Sequence, residues 1–411
     1  MKLFSLLVAM SVLTLSCSKN DLRNEQTGKL AVGTIQNQTE PKEITPENCF
    51  NMTGTTIVGY ERNPPCMPDV VIPNKIKGVF VKSIGPNAFA QANLTSVVIP
   101  EGITEIEYGA FARNQLVNVQ IPESVSKIGD GAFELNLLKA IQLTSGLKDI
   151  GTQAFAFNQL ASVIIPMGLE KIEQRAFLEN QIVNVQIPGS VKTIGAGAFY
   201  NNLITSIDLP IGVLSIEDSA FCKNKITWAR IPSTVTQIGD WAFAENQLTN
   251  IQIPDGITSI ADFAFSENQL TEVKIPDSVT HIGSAAFSHN KLTHIHLPEG
   301  LTSIGSHAFS SNLLEGIQIP PGITVIKWAT FFFNKLTSIQ LPDRLTSIET
   351  LAFESNLLTD VHIPNTVVSI QSHAFMSNLI TRVSLPSATK LSTDTIEPTY
   401  VFDQEVKITR Y

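Results

Sequence analysis

His294 and His296 stand one residue apart, and Glu272 lies 22 positions before the first of them. Two imidazoles and a carboxylate are ligands that a divalent cation accepts. Here only two of them share one stretch of chain, and the third must come from elsewhere, so no metal is expected. The same spacing of 22 links Asp208 to Arg230, with Trp228 just ahead of the arginine, and Glu272 and Lys274 follow further on. Trp and Arg are the residues most enriched at binding hot spots. Asp208, Trp228, Arg230, Glu272, Lys274, His294 and His296 are therefore the candidate ligand-binding residues. Trp228 and Arg230 form the expected centre, because a lone indole here has no packing reason that its neighbours share. Catalytic patterns are missing: the chain has no Gly-rich phosphate loop, no metalloprotease helix motif and no nucleophile elbow. No enzymatic activity and no cofactor are expected.

The elements that position these residues follow from one repeated phrase. Phenylalanines recur every 22 residues from Phe89 to Phe375. A fixed period of this size means a solenoid, in which one short unit stacks on copies of itself. Within a unit such as 246–254, Leu248, Ile251 and Ile253 give an L-x-x-L-x-L pattern, and Ile251 and Ile253 alternate with Asn250 and Gln252. That alternation describes a strand with one buried and one exposed face. Stacked one per coil, such strands make a parallel sheet about 65 Å long at ~4.8 Å per strand. Every candidate residue above falls at an exposed strand position.

The constant positions read as structure. Pro254 and its equivalents lack an N–H and end the sheet pairing. Ile260 and its counterparts from Ile84 to Ile370, with the Ala-Phe pair, fill the interior. Asn occupies the third place after Phe from Asn114 to Asn378. An amide at a fixed place in every coil predicts a hydrogen-bond ladder that satisfies backbone groups in the turn. The expected fold is a β-rich, right-handed leucine-rich-repeat solenoid of fourteen 22-residue coils. One parallel sheet lines its concave side, with short helical turns and extended segments on the outer wall.

The unit from Ile253 to Phe265, Ile-Pro-Asp-Gly-Ile-Thr-Ser-Ile-Ala-Asp-Phe-Ala-Phe, resembles the BspA-like, Treponema-type leucine-rich repeat. Many repeats of that family are 23 residues long with Cys where this chain has Asn, so the 22-residue form looks like a subtype. The resemblance implies a bacterial cell-surface protein that binds other proteins or adheres to host or neighbouring cells. It brings no catalytic residues.

The ends add context. Lys2 precedes an apolar run from Leu3 to Leu15, followed by Ser16 and Cys17. The run is too short for a membrane span and fits a secretory signal over 1–16. Cys17 stands where a bacterial lipoprotein carries its lipid, although Thr14 and Leu15 match the usual motif imperfectly. The polar stretch 17–48 reads as a flexible tether reaching roughly 30 Å. An N-terminal cap is expected over 49–73, the solenoid over 74–386 and a C-terminal cap over 387–411. Five extra residues interrupt the first repeat between Asn74 and Val81. In an exported chain the close pair Cys49 and Cys66 is expected to form a disulfide. Cys222, at a tolerant repeat position, is expected to be an unpaired thiol. The net charge of -9 argues against nucleic acid. The expected partners are a protein on a host, matrix or neighbouring-cell surface, and a membrane through the lipid anchor. The body would sit at the outer membrane or cell surface, facing outward or into the periplasm. The alternative reading is an envelope spacer without a specific ligand.

Overall fold

No single coil can bury its own apolar side chains, so each coil lays them against the next. The computed structural model describes residues 43–64, 66–391, 401–403 and 405–411. Over these the chain is a β-solenoid with parallel strands and almost no helix. The expected signal peptide, Cys17 and most of the expected tether lie outside the described residues.

Two columns of parallel strands run along the solenoid. The first carries the exposed, variable positions as parallel pairs, among them Asn118–Gln120 with Ala140–Gln142, Ser162–Ile164 with Asn184–Gln186, and Ser206–Asp208 with Trp228–Arg230. From Gln252 through Lys274 to His296 this sheet narrows to single bridges. The second column consists of two-residue strands ending in the constant isoleucine, such as Ser259–Ile260, His281–Ile282 and Ser303–Ile304, paired in register. A third set of inter-coil bonds crosses the phenylalanine turn, where Phe221 N–H donates to the Ala242 carbonyl and Phe243 N–H to that of Ala264.

Turns, rather than the expected helical turns, form the outer wall. The only helix among the described residues is the 3-10 segment Glu47–Cys49. The residues two before and two after the phenylalanine hold positive φ in coil after coil, as at Trp241 (60°) and Glu245 (53°). A left-handed residue cannot continue a right-handed helix. Gly109, at φ 59°, takes the first of these places without a Cβ penalty.

Inside, the phenylalanines form one continuous stack. Rings from Phe89 to Phe375 sit 5.0 to 5.9 Å apart with nearly parallel planes. The asparagines line the wall beside them. Asn246 Oδ1 accepts the Ile226 N–H at 3.0 Å, and its Nδ2 donates to the carbonyls of Phe221, Phe243 and Ala244 at 2.9, 3.2 and 3.1 Å. The same four contacts recur at neighbouring coils, for example at Asn224 and Asn268.

Both caps borrow from the solenoid. At the N-terminal end, Asp69–Val71 pairs with Ser96–Val98 and extends the sheet, while Phe50 and Tyr60 pack on Phe89. Thr45 is buried and bonded to Val71, so this cap begins ahead of the expected boundary at 49. The five-residue insertion is an antiparallel hairpin, Lys75–Ile76 against Val79–Phe80. A disulfide joins Cys49 to Cys66. At the far end, Phe402 stacks on Phe375 at 5.3 Å, and Lys407–Arg410 pairs with Arg382–Leu385. Over the described residues this end thus extends both the ring stack and the sheet column. Cys222 departs from expectation: it is fully buried, it counts among the disulfide-bonded cysteines, and no described cysteine is free.

Candidate functional site

Because side chains alternate along a strand, the sheet buries its central residue and turns the flanking pair outward. In the strand Trp228–Arg230, Ala229 is buried while Trp228 and Arg230 face solvent. Parallel register sets Trp228 beside Ser206 and Arg230 beside Asp208. Ser206 is short and leaves the indole 46 % exposed. Arg230 Nε donates to Asp208 Oδ1, a charge-assisted bond between two exposed side chains. The guanidinium is therefore held in place by Asp208 rather than swinging free, which lowers the ordering cost of a further contact.

On the N-terminal side of that pair lies a groove of about 520 Å³ lined by Asn184, Val185, Gln186, Ile187, Ser206 and Asp208. Asn184 and Gln186 look bland when read down their columns. Only their placement beside Asp208 makes them part of a site. Their amides offer both donors and acceptors, as a polypeptide backbone does.

The other candidates stand apart from this cluster. Lys274 and His296 meet through a backbone bridge in the loosely paired part of the sheet. Glu272 and Lys274 flank the buried Val273 and both face solvent. His294 and His296 are exposed, and His294 Nδ1 lies 3.1 Å from the Thr293 hydroxyl. Among the described residues no group of three or more His, Cys, Asp or Glu could hold a metal ion.

The titrating groups with perturbed environments lie in the outer-wall turns instead. Burial, reinforced by the nearby charge of Asp403, pushes the Glu354 carboxyl up to about 7. Burial, reinforced by His289, pulls His307 down to about 4. His307 packs edge-on against Trp328 at 4.2 Å. Glu354 directly follows Phe353 and His307 stands two residues before Phe309, so neither belongs to a sheet strand.

A profile for the BspA type leucine rich repeat region matches residues 82–205, 192–315 and 280–408, and so spans most of the coils just described. The chain belongs to the BspA-type leucine-rich repeat family. Among solved structures, this BspA-type chain is similar to a leucine-rich repeat protein from Bacteroides ovatus. The two are 23 % identical, the match covers 91 % of this chain and 100 % of that one, and the TM-score is 0.64. A leucine rich cell surface protein from Faecalibacterium prausnitzii matches at 21 % identity, with 90 % and 96 % covered and a TM-score of 0.43. The pneumococcal vaccine antigen PcpA matches at 19 %, with 87 % and 83 % covered and a TM-score of 0.43. At these identities the likeness concerns the fold. No match was found among curated protein sequences. Among the described residues no helix is long and apolar enough to cross a membrane.

Proposed function

We propose that this BspA-type protein is an exported bacterial envelope or surface lipoprotein that binds a protein partner through its sheet face. The observation that carries the reading is the exposed Trp228 beside the Asp208–Arg230 pair, at the rim of an amide-lined groove. Aromatic and arginine anchors of this kind supply most of the energy at protein interfaces. The apolar run Leu3–Leu15 ahead of Cys17 supports export and a lipid anchor. A single chain gives only reversible binding, so a lipid anchor at Cys17 needs two chains, and a Cys17 whose sulfur carries lipid forms no disulfide. Partners are proteins on host, matrix or neighbouring-cell surfaces.

The test compares the full chain with the Trp228→Ala/Arg230→Ala variant for adhesion to immobilised matrix proteins and intact cells. Loss of about 2 kcal/mol per anchor would weaken binding roughly thirtyfold for each and several hundredfold or more for both. Unchanged adhesion by a variant with unchanged melting would refute the reading. One observation favours a spacer without a ligand: the repeated glutamines at Gln120, Gln142, Gln252, Gln318 and Gln340 give much of the sheet one polar character. Adhesion by neither protein, together with wild-type assembly in the envelope, would favour that role.

A further inference from the structure

The position after each coil's proline carries a second pattern, separate from the sheet face. It is acidic and exposed at Glu101, Glu123, Asp255, Asp277, Glu299 and Asp343. Across five consecutive coils it changes to Ser145 (after Thr144, which stands in the proline's place), Met167, Gly189, Ile211 and Ser233. Met167 is 83 % exposed and Ile211 76 %. Ile164, three residues before Met167, is 63 % exposed, and Leu214 is exposed beside Ile211. Single apolar residues on a surface are ordinary, but two so exposed in one column, two coils apart, with further exposed apolar residues three positions away in sequence, make this column apolar where its neighbours are acidic.

The geometry of this patch is simple. Successive coils lie about 4.8 Å apart, so Met167 and Ile211 stand roughly 10 Å from each other. Gly189 lies between them, and a Cβ placed there would meet nothing within 4 Å, so the dip is open. Glu123 and Asp255 stand two coils further out on either side, again roughly 10 Å away. Lys148 Nζ folds over Gly168, 3.3 Å from where a Cβ would stand. The edge therefore reads acid, apolar, apolar, acid at even spacing, with a cation beside Met167.

We propose that this edge docks an amphipathic helix of a partner protein, presenting two apolar side chains between two basic ones. Seven residues of helix rise about 10.5 Å and return to the same face. Side chains at i, i+7, i+14 and i+21 would therefore meet Glu123, Met167, Ile211 and Asp255 in turn, as Lys, Leu, Leu and Lys. Lys148 excludes a further basic residue from the part of that helix that meets Met167. The flanking acids repel an anionic membrane, which makes a lipid surface the poorer occupant. The site adjoins the groove beside Trp228 but shares none of its residues, so each stands or falls without the other.

The probe is a fluorescent 22-residue alanine-based helical peptide with Lys, Leu, Leu and Lys at those positions, titrated into the full chain and followed by anisotropy. A twin peptide carries Glu at both ends. The Lys-ended peptide binds, the twin binds at least tenfold more weakly, and salt weakens the complex. Met167→Asp and Ile211→Asp, both at highly exposed positions that the fold does not need, each weaken it by about tenfold, while Trp228→Ala/Arg230→Ala leaves it unchanged. Failure of the Lys-ended peptide to bind, equal binding of the twin, or wild-type affinity in both aspartate variants would overturn the proposal. Phosphatidylcholine vesicles captured by the wild type but not by Met167→Asp, with no peptide binding, would assign the patch to lipid and overturn it as well.

Discussion

Replacing Asn246 by Ala tests the inter-coil ladder at one rung. The amide is buried and makes four bonds, one accepted from Ile226 N–H and three donated to carbonyls. The carbonyls keep other partners after the change. Phe221 O still receives the Asn224 amide, Phe243 O the Asn268 amide, and Ala244 O the Lys223 N–H. The Ile226 N–H loses the side-chain acceptor that stands opposite it. An orphaned buried donor costs about 1–3 kcal/mol, and the lost donations add about 0.5–1.5 kcal/mol. The expected destabilisation is therefore about 2–4 kcal/mol. With roughly 2.1 cal/mol/K of unfolding entropy per residue and roughly 350 ordered residues, 3 kcal/mol lowers Tm by about 4 °C. Calorimetry on the full chain reads this directly, with Asn250→Ala as the control, since Asn250 is exposed on the sheet. Equal melting of Asn246→Ala and Asn250→Ala would refute the ladder. Binding through the sheet face should be the same in both proteins where Trp228 is intact.

Glu354 gives a pH signature. Its acid is raised in the fold to about 7, against an ordinary 4.5, by burial first and by Asp403 second. The charged form is the disfavoured one, so the native state loses stability as pH rises from about 4.5 through 7. Glu354→Gln should be more stable than wild type at pH 8, by an amount on the order of 3 kcal/mol, and match it at pH 4; the same difference at both pH values would contradict this. Removing the Cys49–Cys66 bond, as Cys49→Ala/Cys66→Ala, should destabilise the N-terminal cap by about 3 kcal/mol on chain-entropy grounds. Hydrogen exchange should then rise over 49–71 and leave the coils beyond Phe111 protected; uniform exchange along the chain would contradict a local effect.

The fold was legible because its determinants repeat. Phe, Ile and Asn at fixed places each have one physical job, and the stacked rings and the amide ladder occupy the places that the spacing predicts. The outer wall was less legible, because left-handed turns accept Trp241, Phe263, Ala285 and Leu351 as readily as glycine here. Stacking on neighbouring coils overrides local preference at such positions. Acidic residues were ambiguous for a related reason. Asp218, Asp240 and Asp262 form an acidic column, yet each Oδ1 accepts the backbone N–H of the next coil, at 3.0, 3.0 and 2.6 Å, and so serves the wall. The site was legible in part. Spacing alone set Asp208 opposite Arg230, but the groove that Asn184 and Gln186 help to line depends on side-chain heights across several coils. Cys222 was misjudged because a column that tolerates many residue types can still point its side chain into the interior.

The central claim is that the constant positions build the solenoid while the sheet face around Trp228 meets the partner. Its most direct test is a photo-crosslinking amino acid placed in the full chain on living cells, at position 228 in one protein and at position 333 on the outer wall in another. Phe333 is exposed, so both probes reach solvent. The account predicts discrete protein adducts from position 228 and none of the same mass from position 333. Adducts of equal yield at both positions, or at 333 alone, would contradict it.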